Sequence, residues 1–114
     1  MKIRIDFSIF TSSPLTSFAY ALGDLDLPQV PAAGAAVDLL QGKQLPHPMP
    51  TLDGIFTGNL KVDFVSRVQL PEGERVSISL VDLVLRVTAD AAMLRDFLNR
   101  ETVITCSDSA SEGG

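Results

Sequence analysis

The feature that most constrains this chain is a pair of alternating runs on either side of Pro71-Glu72-Gly73. Before it, Phe56, Leu60, Val62, Phe64, Val68 and Leu70 share one parity, while Thr57, Asn59, Lys61, Asp63, Arg67 and Gln69 occupy the other. A period of two marks a strand with one buried face, and the proline-glycine turn between two such runs predicts one long antiparallel hairpin. After the turn Val76, Ile78 and Leu80 keep the apolar parity, but Val81, Leu83, Leu85 and Val87 take the opposite one. A slip of one residue turns every later side chain to the wrong face, so the change at Leu80-Val81 predicts either a β-bulge or a strand that bends between layers. The bulge keeps apolar opposite apolar. It sets Leu70 against Val76, Val68 against Ile78, Phe64 against Leu83, Val62 against Leu85 and Leu60 against Val87, with Phe64 in the core.

Other segments read in the same way. Ile3, Ile5, Phe7 and Ile9 alternate with Lys2, Arg4, Asp6 and Ser8, a strand with one dry face. Leu15 to Leu22 is open between a returning strand and a short helix, and Gly23 to Gly34 reads as a connection in which Pro28 and Pro31 withhold backbone donors. Ala36 to Leu40 predicts a short strand. Pro46, Pro48 and Pro50 surround His47 and Met49 in an extended surface loop over Gly42 to Gly54. A helix follows Thr88, which can cap it; Asp90 lies in its first turn, Met93, Leu94, Phe97 and Leu98 form its apolar stripe, and Asp96 and Arg100 are spaced to pair on the other side. Thr102 to Thr105 predicts a last strand. The expected fold is α+β: a mainly antiparallel curved sheet or partly open small barrel, with a long bulged hairpin and one packed helix. Residues 1–106 form one domain and 107–114 a flexible tail.

A chain of 114 residues is long enough to bury about 65% of the surface its unfolded form exposes. Its 46% hydrophobic and 20% charged residues are those of a globular domain. The net charge of −5 opposes a phosphate-binding surface, and one tyrosine with no tryptophan leaves little for base stacking, so no nucleic-acid partner is expected. There is no apolar run of bilayer length and no signal-peptide pattern, which predicts a soluble, cytoplasmic protein with no membrane partner. Cys106 is the single cysteine, which excludes an intrachain disulfide and suits a small buried hydrophobe.

No residue set specifies a reaction, and no cofactor, metal or catalytic residue is expected. His47 with Met49 is a candidate loop site, though one histidine and the nearby Asp53 do not define a metal centre. Asp24 and Asp26 offer too few oxygens for calcium, and the glycines match no phosphate or dinucleotide loop. Leu27-Pro28-x-Val30-Pro31-x-x-Gly34-x-x-Val37-x-Leu39 resembles a segment of short proteins from bacterial accessory genomes, and that resemblance carries no functional residue. The wet parity of the hairpin gives a candidate interaction patch: Lys61, Asp63, Val65 and Arg67 on one strand, and Asp82, Val84 and Arg86 on the other. The expected function is a non-catalytic protein-binding or assembly module whose partner is another protein or a second copy. The alternative is a small-molecule binder or minimal enzyme with a pocket between the sheet, the helix and the 42–54 loop.

Overall fold

The alternating opening run becomes a central strand that pairs with three of the others. The computed structural model describes residues 1–12 and 14–108. Its elements are strands β1 (Lys2–Thr11), β2 (Thr16–Asp26), β3 (Ala36–Asp38), β4 (Met49–Pro50), β5 (Ile55–Phe56), β6 (Asn59–Leu70), β7 (Gly73–Leu80) and β8 (Leu83–Leu85), helix α1 (Thr88–Glu101) and strand β9 (Thr105–Asp108). The main sheet has the order β3-β6-β7-β1-β2-β9, with β8 also beside β1, and β4 with β5 forms a separate small ladder. β1 is antiparallel to β2 but parallel to β7 and β8. The fold is therefore α+β, with one helix among the described residues and a mixed, open sheet. The mainly antiparallel character holds for the flanks, the centre is parallel, and the sheet does not close into a barrel.

The 15–22 segment resolves as strand, since β2 returns beside β1 and runs on through Asp26, where the sequence suggested a connection. Gly23 lies opposite Ile5, and a Cβ on it would stand 2.9 Å from the Ile104 Cα. Only a glycine lets that backbone cross so closely.

The hairpin exists, but in a different register. Leu70 pairs with Gly73 across a two-residue turn, Val65 with Ile78, Phe64 with Ser79 and Val62 with Leu80. The extra residue sits between Val62 and Phe64 on β6, so the bulge is at Asp63 and not at Leu80-Val81. The parity change after Leu80 marks a different event. The chain leaves the β6 ladder, Val81 donates to the Lys61 carbonyl at 3.0 Å, and Leu83–Leu85 continue beside Ile9–Thr11 of β1. Phe64 consequently faces away from the helix with Ser79 and is 54% exposed, so it is not core, and its expected contact with Leu83 is absent.

From β8 the chain crosses through α1 to β9, which pairs with β2. Both strands run parallel to β1, the geometry that requires a crossover. Ala91, Leu94, Phe97 and Leu98 are buried against the sheet, while Met93 stays exposed at the margin of the stripe. Val87 occupies the N-cap without a side-chain bond, and Thr88 is already helical. The expected Asp96–Arg100 pair does not form, because Arg95 takes Asp96 and Arg100 takes Glu101, each at 3.1 Å. β9 extends to Asp108, two residues beyond the expected domain end, and residues 109–114 of the expected tail lie outside the described residues. No helix among the described residues is long and apolar enough to cross a membrane.

Residues 39–58 do more than skirt the surface. Asp38 accepts the backbone N–H groups of Leu40 and Gly42, each at 3.0 Å, an Asx turn that points Leu39 and Leu40 into the core. Met49 and Phe56 pair across β4–β5 and are buried with them.

Candidate functional site

The bulge at Asp63 decides what the hairpin presents. Residues directly opposite in an antiparallel ladder share a face, so Val65 and Arg67, opposite Ile78 and Val76, lie on the core side of the sheet. Val84 pairs with Phe10, whose parity on β1 is that of the wet residues, and so faces the other way. Lys61 lies beside Ala36 of β3, and Asp82 sits in the step between β7 and β8. Arg86 donates to the Thr51 carbonyl at 2.9 Å and fastens the β4–β5 ladder. The seven residues of the expected patch are thus divided between two faces and do not form one surface.

The loop pair is divided as well. Met49 is fully buried and unavailable to a ligand. His47 meets Asp90 and not Asp53: its Nε2 lies 2.9 Å from Asp90 Oδ1. Asp90 is one of the two buried polar residues described, at the first turn of α1. A carboxylate there is favoured by the helix dipole and, held by the imidazole, ties the proline loop to the helix. Asp53 instead accepts from Thr51 Oγ1 at 3.2 Å. Asp24, expected in a loop, is on β2 and bridges to Arg4 at 3.3 Å.

Leu39, Leu40, Met49 and Phe56 are core, and between β2, the end of α1 and the start of the 42–54 loop there remains only a recess of about 140 Å³ bordered by Leu25, Leu40, Lys43, Glu101 and Val103. A shallow recess of about 320 Å³ lies around His47 and Thr57. A larger opening, about 580 Å³, is elsewhere: it separates the start of β1 from the hairpin tip and carries both signs of charge, lined by Lys2, Arg4 and Arg75 as well as Asp24, Glu72 and Glu74. It exists because the β1–β7 ladder extends only over Arg4–Asp6 and Ser77–Ser79, so the tip of the hairpin diverges from its neighbour.

That divergence leaves the outer half of the hairpin paired only with itself. β3 accompanies the edge of β6 opposite β7 over Asn59–Lys61, Gly34 and Ala35 bond to Val62 just beyond, and no strand among the described residues pairs with that edge further on. The free edge from Asp63 to Leu70 carries Phe64 and Val68, 54% and 48% exposed, on the face away from α1. Arg67 on the opposite face is bound to Glu74 at 2.9 Å. Across the sheet the same outer face is polar, with the Tyr20 hydroxyl donating to Asp6 at 3.0 Å; partial burial first, and then that bond, raise the phenol above its ordinary range.

Cys106 is buried beneath Arg95 and Asn99, with its backbone N–H donating to Asn99 Oδ1 at 2.7 Å. Burial pushes its thiol up to about 12. At mildly alkaline pH the native protein should therefore resist thiol alkylation, while denatured protein reacts; rapid native labelling would show an open site. The unfolded thiol ionises first, so stability is fully present below the ordinary thiol range and is lost as pH rises from there through about 12.

Comparison of the chain with protein-family models, with curated proteins and with solved structures found no match.

Proposed function

We propose that this chain is a non-catalytic protein-binding or assembly module that works through the outer half of the β6–β7 hairpin. The observation that carries the reading is the open edge of β6 from Asp63 to Leu70, on the side away from β7, with two half-exposed apolar side chains on one face. An open strand edge presents a row of backbone donors and acceptors, and monomeric proteins generally blunt such edges with charge, proline or a covering element. Here Arg67 and the bulge blunt it only in part. Strand addition would satisfy those groups, with Phe64 and Val68 as alternate side chains that select the partner. The hairpin residues Val65 and Val76 are packed against the core, which holds the edge in place for docking.

The test is site-specific photocrosslinking in cells that make the protein, with the reactive residue at Ser66 or, as a control, at exposed Thr57. Adducts of discrete mass are expected from position 66 and not from 57, and they should disappear when Phe64 and Val68 are both changed to Lys. Absence of adducts at 66, or the same adducts from both positions, would reject the hairpin as the working surface.

A further inference from the structure

We infer that the partner of this edge is a second copy of the chain, paired antiparallel through β6 about a two-fold axis at Ser66, so that two sheets become one. The inference rests on the reading of β6 as a docking edge and adds its occupant and register.

The register follows from hydrogen bonding and from sequence. Leu70 and Gly73 close a two-residue turn and so form a hydrogen-bonded pair of the ladder. Alternation then commits the backbone groups of Phe64, Ser66 and Val68 to β7 and turns those of Val65, Arg67 and Gln69 outward. Two copies can pair only where outward residues meet outward residues, which restricts the axis to a residue position and forbids the registers half a step away.

Among the allowed positions, an axis at Arg67 sets that guanidinium against its own copy, a like-charge contact across the ladder. An axis at Val65 places Phe64 opposite a serine and reaches into the bulge. An axis at Ser66 puts the smallest side chain of the run on the two-fold. It sets Phe64 against Val68 of the second copy twice, and Arg67 against Val65, with no like charges directly opposed. It also lies near the middle of the free run. A cyclic two-fold interface must be self-complementary in this sense.

Four experiments test the inference. In sedimentation equilibrium the wild type should show a species of twice the 12.2 kDa chain mass. The Arg67→Pro variant removes an outward N–H without touching the β7 ladder, so it should stay folded by circular dichroism and be monomeric. Phe64→Lys with Val68→Lys should weaken dimerisation by about tenfold or more, since two cross-strand apolar pairs are lost at once. Ser66→Cys should oxidise rapidly to a disulfide-linked dimer, because Ser66 and its copy form a non-hydrogen-bonded pair with close Cα atoms, whereas Gln69→Cys should not. A wild type that stays monomeric up to its solubility limit, or equal crosslinking at 66 and 69, overturns the two-fold pairing. If crosslinks from position 66 then join a different protein, the edge is a docking site with another occupant; if there are none, that reading fails as well.

Discussion

Ile5→Ala is expected to remove about 2 to 5 kcal/mol of unfolding free energy, a large share of what a domain of this size has. Ile5 is fully buried in the middle of β1, with Ile78 on one side and the bare backbone of Gly23 on the other. The neighbours cannot collapse into the space, because one is a strand backbone held against Ile104 and the other is fixed in the β7 ladder. Phe64→Ala removes a larger side chain but one already half in water, and exposed positions usually shift stability by no more than about 0.5 kcal/mol. Chemical denaturation of the two variants reads the contrast directly. A larger loss for Phe64 than for Ile5 would restore the register expected from parity alone and reject the bulge at Asp63.

Gly58→Ala should be almost as damaging, for two separable reasons. Its φ of +122° lies where side chains other than hydrogen are strained, a cost of about 1 to 3 kcal/mol. A Cβ there would also stand 2.7 Å from Leu40 Cδ1, inside a packed core, which adds an overpacking cost of about 1 to 3 kcal/mol. In a Leu40→Ala background the contact is gone but the backbone strain remains. The glycine substitution should then cost measurably less, and the cycle isolates the steric part. Equal costs in both backgrounds would mean that Leu40 simply moves aside.

The legibility of this chain followed side-chain size. β1 was plain because Ile3, Ile5, Phe7 and Ile9 are large and their alternates polar. β2 was not: its buried positions are Ala19, Ala21 and Leu25, with half-buried Gly23 pressed close by Ile104 between them, and alanines and a glycine make a faint alternation. The hairpin and its turn were readable and the bulge position was not, because Val68 and Leu70 continue the parity of Leu60 and Val62 although they face the other way. The adjacent apolar pair Phe64-Val65 was the available signal, a break in alternation where the ladder gains a residue. Three prolines made the 42–54 loop look superficial, yet Met49 supplies core. Of the candidate sites, His47 was placed in its loop without its partner, since Asp90 is distant in sequence. The open edge was invisible, because sequence alone does not say where a neighbouring strand stops.

The parallel seating of β7 and β8 on β1 also makes the centre of the sheet depend on distant parts of the chain. β1 and β2 can form their hairpin from local contacts, but the other side of β1 is covered only when residues 77–79 and 83–85 arrive from far along the chain. Non-local parallel pairing of this kind is slow, because loop closure must come before any contact rewards it. A state in which β1 and β2 had paired before β7 arrived would leave Ile3, Ile5 and Ile9 on a two-stranded ribbon with one bare edge, more adhesive than the finished protein. Conditions that delay the arrival of β7, such as strain at the Pro71-Glu72 turn, should therefore be felt as lost yield of soluble protein well before they are felt as lost stability of the molecules that fold.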